Sequence, residues 1–360
     1  MKRREIIVFI LGVITIILPA EIFLRIINFR PESSWQPSGT HKIDDSLIYI
    51  NTPNYSGDWI TEDFQQKTFI NSTGFRDEQI KTKKPEIKRI IVVGDSFIFG
   101  HGISSNKLTI PAQLENKIAG VDVINAGVQG YSPDQEYRFI TGKAMEYEPD
   151  FIIWALNPHD YDNMTYFPSL YDLDKRENLK KTSAMTTWIY FKGFLTTKFP
   201  VLLQKSYLFL YILDSLEKIP LLNRGLMIPH DKRYDWIEKK LSEEVKSVIA
   251  FTEKNELGLV MVFLPLKYSY RDNKYNSQYV NYEGVVKSIK KILDGENIIY
   301  VDIGLDLWRQ AQVNKKNSQS DYNRLFFKND YHLNEAGAEI AAEMLVDKLE
   351  LEKLFIRNQN

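Results

Sequence analysis

The stretch that most constrains this chain is a short apolar run that ends in a tight turn, Arg89–Gly100, with the sequence RIIVVGDSFIFG. Within it, Ile90–Val93 is a continuous run of β-branched residues. Such a run followed by a turn is typical of a parallel strand that is buried on both faces. In open α/β sheets the reacting groups lie just beyond the carboxyl ends of the strands. Ser96 is therefore a candidate nucleophile, although Asp95 or Ser96 could equally serve only to cap the next helix.

This run is the first of five segments with strand character that alternate with helical patterns. The predicted strands are Ile90–Val93, Val121–Asn125, Asp150–Leu156, Leu257–Leu264 and Asn297–Ile303. The predicted helices cover residues 109–119, 133–147, 234–255, 279–293 and 334–354. Strands that alternate with helices predict an α/β fold, with a central parallel sheet of about five strands and right-handed crossovers.

Composition narrows the possible partners. Hydrophobic residues make up 44% of the 360 residues and charged residues 26%, which is typical of a globular chain with a large core. The formal net charge of −1 gives no electrostatic basis for binding nucleic acid. The chain has no cysteine, which excludes a disulfide framework and a thiol nucleophile, and no spacing of ligands indicates a metal. We therefore predict no metal and no cofactor.

The N-terminus predicts a membrane anchor. The basic Met1–Arg4 precedes Ile6–Ala20, which is 15 residues of almost wholly apolar sequence and can be extended to Phe29. A cleaved signal peptide is disfavoured because Ile17–Ala20 lacks the small residues of a cleavage site. A buried helix of a soluble protein is the other alternative. An uncleaved signal anchor fits best, which predicts a single-pass protein of the cell membrane with its body outside the cytoplasm.

These patterns predict three regions. They are an anchor helix at 1–29, a linker and N-terminal extension at 30–86, and a catalytic domain at 87–360. An aromatic-rich insertion at 165–229 interrupts the alternation of strands and helices after the third strand. It could be a lid, a surface that rests on a bilayer or a patch for a partner, and a helical subdomain packed on the core is slightly favoured. The sequence does not indicate any protein partner.

A base and an acid for Ser96 are available near the C-terminus. His332 precedes the last predicted helix, and Asp330 lies two residues before it. A serine nucleophile needs a base within hydrogen-bond reach, and that base needs a group that fixes its tautomer. Ser96, His332 and Asp330 could supply these roles. Taken alone, a loop histidine with a nearby aspartate is more often a surface pair or a capping feature.

At this point three separated motifs resemble one family. Gly94–Phe97 resembles the first block of the SGNH (GDSL-type) hydrolases, Asn125–Gly130 resembles their second block, and the Asp330/His332 loop resembles their last block. The resemblance spans residues 87–345 and implies a three-layer, flavodoxin-like SGNH fold. It also implies that the backbone N–H groups of Ser96 and Gly130 stabilise the oxyanion. The segment Ile70–Arg76 and the apolar N-terminus resemble a membrane-anchored branch of the superfamily.

Two positions depart from the pattern of the family. The family has a side-chain Asn immediately before an Asp at the end of the third strand, where this chain has His159, and Asn157 lies two residues earlier. Either residue could be the third oxyanion donor. The acid also lies two residues before the histidine instead of the commoner three, a spacing that resembles relatives involved in polysaccharide O-acetylation. A Ser96–His332 dyad without the acid is the alternative.

The resemblance implies a serine esterase that acts through an acyl-serine intermediate. Its substrate would be an acyl ester, with acetyl favoured, of a glycan or lipid of the cell envelope. An O-acyltransferase to an extracellular polysaccharide would use the same residues, because only the acceptor of the acyl group differs. A non-catalytic glycan-binding relative is the third hypothesis, since two positions depart from the family.

Overall fold

The computed structural model describes most of the chain, and the described residues form two compact units. One unit comprises Met1–Thr40 and Ser183–Arg224, and the other comprises His41–Thr182 and Gly225–Asn360. The described residues are 3–27, 39–44, 46–61, 63–158, 160, 164, 171–173, 179–181, 206–217, 230–267, 270–271, 274–275, 280–313 and 318–351.

The strands and helices among these residues are as follows. The strands are β1 (His41–Asp44), β2 (Ile48–Asn51), β3 (Ser56–Ile60), β4 (Gln65–Phe69), β5 (Lys88–Gly94), β6 (Val121–Gly127), β7 (Phe151–Leu156), β8 (Tyr171–Leu173), β9 (Leu179–Lys181), β10 (Gly258–Phe263), β11 (Tyr270–Arg271), β12 (Lys274–Tyr275) and β13 (Ile299–Asp302). The α-helices are α1 (Arg3–Ile26), α2 (Ser96–Phe99), α3 (Ile110–Lys117), α4 (Pro133–Gly142), α5 (Tyr207–Glu217), α6 (His230–Lys254), α7 (Val280–Gly295), α8 (Ile303–Val313), α9 (Ser318–Asn323) and α10 (Glu335–Leu351).

A five-stranded sheet lies at the centre of the larger unit. Its strand order is β13-β10-β7-β5-β6, and every neighbouring pair is parallel. All five strands predicted from the sequence are present and form this one sheet. Because the strands are parallel, the turns after β5, β6 and β7 open at the same edge, with the turn after β5 in the middle.

The sheet is covered by helices on both faces, which gives the predicted three layers. Alternate side chains of β5 point to opposite faces, as the two-residue repeat of a strand requires. Ile90 and Val92 belong to a core cluster that also contains residues of α3 and α10. Ile91 and Val93 belong to a second cluster that also contains residues of α4, α6 and α7. This explains why the sequence of the strand is continuously apolar.

The segment before the sheet is folded. The sequence assigned residues 30–86 to a linker and N-terminal extension, and within it β1 pairs with β2 and β3 pairs with β4 in two antiparallel hairpins at 41–69. The hairpins are held to the sheet domain because their side chains reach its loops. Asn51 Nδ2 donates to the carbonyl of Gly127 at 3.2 Å, and Tyr49 Oη donates to the carbonyl of Gln129 at 3.0 Å.

The smaller unit contains α1 and α5. Glu21 of α1 accepts hydrogen bonds from Ser206 Oγ at 2.9 Å and from the backbone N–H groups of Tyr207 and Leu208 at 3.1 and 2.9 Å. The carboxylate therefore caps the N-terminus of α5 from another helix, where the helix dipole favours negative charge. Arg25 pairs with Glu21 at 2.7 Å and lies over the ring of Tyr207.

The predicted membrane anchor at 1–29 is not supported. Among the residues that the structure describes, no helix combines the length and the apolarity needed to cross a membrane. The uninterrupted apolar run of α1, Ile6–Ala20, is 15 residues long and is followed by Glu21. A spanning helix requires about 20 predominantly apolar residues. The predicted location outside the cytoplasm, which depended on this segment, stays a prediction.

Two further expectations remain predictions. Most of the predicted insertion at 165–229 lies outside the described residues, so its role as a subdomain, lid or binding surface is an open hypothesis. The predicted boundary between the N-terminal extension and the catalytic domain at residues 86 and 87 also stays a prediction.

Candidate active site

Ser96 lies where the central strand of the sheet becomes a helix. β5 ends at Gly94, and Ser96 is the first residue of α2. Asp95 caps this helix, because its Oδ1 accepts a hydrogen bond from the backbone N–H of Phe97 at 2.9 Å. The sequence left open whether the turn served only to cap a helix. In the structure the two residues have different roles. Asp95 forms the cap, and the side chain of Ser96 points toward other polar groups.

The side chains of Ser96, His332 and Asp330 form one hydrogen-bonded chain. Ser96 Oγ lies 2.7 Å from His332 Nε2, across 236 positions of sequence. His332 Nδ1 lies 2.6 Å from Asp330 Oδ1, which also accepts the backbone N–H of His332 at 2.8 Å. With Nδ1 donating to the carboxylate, Nε2 is the free acceptor that faces the serine hydroxyl. This is the geometry that nucleophilic catalysis by serine requires.

The charge of Asp330 is stabilised by its neighbours. Burial by itself would raise the pKa of this carboxyl, but contacts with His101 and His332 hold the pKa well below its usual range. Asp330 is therefore ionised at neutral pH. The spacing of two residues between acid and base, which departs from the commoner pattern, is thus compatible with a close Asp330–His332 contact.

A buried lysine holds the loop that carries the acid and the base. Lys267 follows the carboxyl end of β10, and its Nζ donates to the carbonyl of Phe327 at 2.7 Å and also to that of Lys328. At the other side of the loop, Phe327 N donates to the carbonyl of His332 at 3.1 Å. These contacts hold the loop in place without using the side chains of Asp330 and His332.

Gly130 and Asn157 lie after the two strands that flank β5. Gly130 follows β6 in a turn closed by a 3.2 Å hydrogen bond from Tyr131 N to the carbonyl of Val128. Its φ of +75° is a conformation that glycine adopts at low cost. Asn157 directly follows β7 and is buried. Both residues lie at the edge of the sheet where Ser96 lies, as the sequence predicted.

The remaining predicted site residue cannot be placed. His159 lies outside the described residues, so the choice between His159 and Asn157 as third oxyanion donor stays open on structural grounds. The backbone of Asn157 is paired with Asp160 in both directions. Asn157 N donates to Asp160 Oδ2 at 2.7 Å, and Asp160 N donates to the carbonyl of Asn157 at 3.1 Å.

Behind the nucleophile lies a buried group of three carboxyls that the sequence did not predict. Asp95 Oδ2 accepts a hydrogen bond from Ser96 Oγ at 3.0 Å, and Asp160 lies close enough to Asp95 for the charge of Asp95 to raise its pKa. Glu136 Oε2 accepts a hydrogen bond from Trp154 Nε1 at 2.8 Å. Burial raises the pKa of Asp160 and that of Glu136 well above the usual range, and the nearby Asp95 raises both further. The raised pKa values favour the protonated forms of Asp160 and Glu136, and a protonated carboxyl adds no negative charge beside Ser96.

The structure adds His101 to the site. This histidine, to which the sequence assigned no role, lies five residues after Ser96. Its ring stacks on that of His332, with ring centroids 4.1 Å apart and an interplanar angle of 26°. The sequence contained one signal for it: a residue just past a single-turn helix that starts at the nucleophile stays near that nucleophile.

Three of these side chains are also potential metal ligands. His101, Asp330 and His332 offer ligand atoms that all lie within 4.8 Å of one another. The distance of 2.6 Å between His332 Nδ1 and Asp330 Oδ1 is that of a hydrogen bond through a shared proton. A zinc ion would lie about 2.0–2.2 Å from each such atom, so the pair would have to separate to admit it. The arrangement fits hydrogen bonding better than metal binding.

Comparisons with known proteins identify similar structures. No protein-family model and no curated protein sequence matches the chain. A similar structure from Desulfitobacterium hafniense DCB-2, described as a lipolytic protein of the G-D-S-L family, is 13% identical with a TM-score of 0.41, and the match covers 73% of this chain and 99% of that one. A two-domain esterase active on acetylated mannans is 13% identical with a TM-score of 0.41, over 74% of this chain and 50% of that one.

A third similar structure is a lipase/acylhydrolase from Enterococcus faecalis, 12% identical with a TM-score of 0.40, over 74% of this chain and 97% of that one. These descriptions name the family and the class of activity that the sequence motifs resemble. Identities and TM-scores this low support no statement about the activity of this chain, which depends on the geometry of its own site.

Proposed function

We propose that this chain is a serine hydrolase of the SGNH type that cleaves carboxylic esters through an acyl-serine intermediate. The observation that carries the proposal is the hydrogen-bonded chain from Ser96 Oγ through the His332 ring to Asp330, with distances of 2.7 and 2.6 Å. It lies at the carboxyl edge of a parallel sheet, where α/β proteins bind their ligands.

The proposed reaction follows from which atom can donate and which can accept. Ser96 Oγ attacks the carbonyl carbon of the ester while its proton passes to His332 Nε2. The negative charge that forms on the carbonyl oxygen is stabilised by the backbone N–H groups of Ser96 and Gly130, with Asn157 or His159 as a third donor. His332 then gives its proton to the leaving alcohol, and the acyl group remains on Ser96.

The second half of the reaction releases the acyl group. Water attacks the acyl-serine, and His332 Nε2 accepts a proton from that water. When the intermediate collapses, the proton returns to Ser96 and the acid product leaves. Throughout, Asp330 keeps His332 in the tautomer with its proton on Nδ1 and stabilises the imidazolium.

The substrate class is proposed from the access to the nucleophile. Ser96 is only 8% exposed and His332 only 4% exposed, which favours a small acyl group such as acetyl over a long chain. We propose an acetylated glycan or lipid as the substrate. Transfer of the same acyl group to a sugar hydroxyl instead of water is the alternative outcome, since both reactions share the acyl-serine intermediate.

The test is a comparison of Ser96→Ala with a matched serine variant. The wild-type protein should be labelled by a fluorophosphonate and should hydrolyse p-nitrophenyl acetate faster than longer-chain esters. In Ser96→Ala, labelling should disappear and kcat/KM should fall by at least about 10³-fold. Ser247→Ala is the control, because Ser247 lies on the exposed face of α6 and bonds only to its own helix.

Three outcomes separate the functional hypotheses. Hydrolysis that depends on Ser96 supports the esterase. Acetyl transfer to an oligosaccharide that is faster than hydrolysis would identify an acyltransferase. A folded wild-type protein that is neither labelled nor active would contradict both and favour the non-catalytic glycan-binding hypothesis.

A further inference from the structure

His101 occupies a position that the Ser96–His332–Asp330 chain does not explain. It follows α2 and its C-cap Gly100, and its backbone N–H donates to the carbonyl of Ser96 at 2.8 Å. Its side chain is buried, so it is unsuited to binding a large substrate directly. A buried imidazole is costly unless its nitrogen atoms are engaged, and the partners of those atoms indicate what the residue does.

The first partner fixes the tautomer of His101. Gln129 Nε2 lies 3.0 Å from His101 Nδ1. An amide nitrogen only donates, so Nδ1 is the acceptor and the proton of the neutral ring is on Nε2. His101 Nε2 lies 3.3 Å from Asp330 Oδ2, a distance that brings the N–H dipole to the carboxylate but falls short of ideal hydrogen-bond geometry.

The second contact is with the ring of the base. His101 and His332 stack at 4.1 Å, and both rings direct a nitrogen at the same carboxylate. The two oxygens of Asp330 are thereby divided, with Oδ1 bonded to His332 and Oδ2 facing His101. This arrangement restricts rotation of the carboxylate, and hence the direction in which it holds His332.

Aromatic side chains of the β3–β4 hairpin enclose His101. Trp59 and Phe64 contact its ring edge to face, at centroid distances of 4.8 and 5.1 Å. Burial and, to a smaller extent, the adjacent His332 lower the pKa of His101 to about 4, although Asp330 opposes the shift. The ring is therefore neutral at neutral pH. A neutral ring can stack on His332 when that residue becomes an imidazolium, without repulsion between like charges.

We propose that His101 is a positioning residue that holds Asp330 and the ring of His332 in their reactive geometry through its Nε2–H and its stacked face. The proposal depends on the proposed function, because it assigns a role relative to Ser96 as the nucleophile. It deepens that function by extending the catalytic chain to Gln129 and His101. The order of contacts is Gln129 Nε2, His101, Asp330, His332 and Ser96 Oγ.

The test compares variants that remove one feature of His101 at a time. His101→Phe retains an aromatic ring and removes the N–H, while His101→Gln retains a side-chain donor and removes the ring. We expect His101→Phe to lower kcat for p-nitrophenyl acetate by about 10- to 100-fold with little change in KM, as for loss of one group that supports general base catalysis. His101→Gln should recover part of this loss.

A second pair of variants tests the tautomer without changing the histidine. Gln129→Glu places an acceptor beside His101 Nδ1, which would move the ring proton from Nε2 to Nδ1. The lone pair of His101 Nε2 would then face the carboxylate of Asp330. Gln129→Leu only removes the donor. We expect Gln129→Glu to lose more kcat than Gln129→Leu, and the ¹⁵N resonances of His101 should show protonation at Nε2 in the wild type and at Nδ1 in Gln129→Glu.

The control is His41→Phe, which replaces another histidine whose pKa burial lowers to about 4 and which has no contact with Asp330. It should leave kcat unchanged.

If the wild type is labelled at Ser96 but folded His101→Phe has wild-type kcat, or if Nδ1 of His101 is protonated in the wild type, the positioning role is wrong. If the wild type is neither labelled nor active, the proposed function itself has failed. If His101→Phe does not fold, the Gln129 pair decides the question.

Discussion

At the scale of single residues, the site consists of buried polar side chains whose atoms are paired with one another. The contact between His332 and Asp330 is short because both groups are buried and charge-assisted. Asp95, next to the nucleophile, caps helix α2 with one oxygen, and its second oxygen lies 3.0 Å from Ser96 Oγ. Burial raises the pKa of the neighbouring Asp160 and Glu136, which favours their protonated forms and limits the negative charge around that oxygen.

The third oxyanion donor is a question that belongs to this scale. Asn157 follows β7 directly, and its backbone is bonded in both directions to Asp160. An amide there can donate without any dependence on pH. We expect Asn157→Ala to lower kcat by about 10²- to 10³-fold with KM nearly unchanged, as for loss of one oxyanion donor. The measurement is steady-state kinetics on p-nitrophenyl acetate beside His159→Ala, and a larger loss in His159→Ala would transfer the role to the histidine.

At the scale of elements, the short helix that begins at Ser96 is held in place by a neighbouring strand and by the segment before the sheet. α2 is a single turn, too short to be stable by itself. Two features fix it. Gly127 at the end of β6 approaches it so closely that a Cβ there would lie 2.1 Å from Phe99 N. Arg76, from the segment before the sheet, bonds to the carbonyls at its C-terminal end.

Arg76 uses all five of its N–H donors. Nε donates to Asn106 Oδ1 at 3.0 Å, Nη1 donates to the carbonyls of Phe99, at 3.1 Å, and Gly100, and Nη2 donates to those of Ile103 and Lys67 at 2.7 and 3.3 Å. The fork of the guanidinium thus joins the end of α2 to the β4 strand. Burial lowers its pKa to about 9, which leaves it charged at neutral pH.

Replacement of Arg76 should therefore affect both stability and catalysis. Lysine keeps the charge but offers a single ammonium, which cannot reach carbonyls in several directions. We expect Arg76→Lys to lower the free energy of unfolding by about 2–4 kcal/mol, because buried carbonyls lose their donors, and to lower kcat as α2 shifts. Urea unfolding and ester hydrolysis measure the two effects.

Arg324→Lys is the matched control for this substitution, because the side chain of Arg324 is 76% exposed and pairs only with Asp321 on the surface. Its unfolding free energy should stay within about 0.5 kcal/mol of the wild type. Equal stability of Arg76→Lys and Arg324→Lys would show that the contacts of Arg76 to α2 are not needed.

At the scale of the whole molecule, the stability of the fold is coupled to pH through buried carboxyls. Burial raises the pKa of Glu136, Asp160 and Glu244 well above the usual range. A group whose pKa is raised by folding stabilises the native state fully below its unfolded pKa, about 4.3 for glutamate. That contribution is lost as the pH rises toward the folded pKa.

Glu136→Gln isolates one of these contributions. The amide oxygen of glutamine can still accept the hydrogen bond from Trp154 Nε1, but it has no proton to lose. We expect the free energy of unfolding of the wild type to fall relative to Glu136→Gln as the pH rises above the unfolded pKa of about 4.3, by at most about 1.4 kcal/mol per pH unit, until the folded-state pKa is passed. Urea unfolding of both proteins across this range measures it, and a difference that is constant with pH would contradict a protonated Glu136.

Much of the architecture could be predicted because it depends on local patterns. The five apolar runs identify the strands, and the alternation with helices identifies a parallel sheet with two covered faces. The two hairpins at 41–69 were not predicted because their strands are short and do not all have an apolar buried face: in Gln65–Phe69 the buried residues are Gln66 and Thr68, and Phe69 is exposed. The predicted anchor, which the structure does not support, extended the apolar count past Glu21, whose carboxylate accepts hydrogen bonds from Ser206 and from the first turn of α5.

The sequence alone determined which residues could do chemistry. The turn at Ser96 and the pair Asp330 and His332 are local motifs, and their residue types define the roles of nucleophile, base and acid. Only the tertiary structure decided that they meet, because 236 positions separate Ser96 from His332 and chain folding closes that gap to 2.7 Å. The same holds for His101, Arg76 and Glu136. Their importance depends on the partners and the burial that folding provides, and no spacing along the chain encodes either.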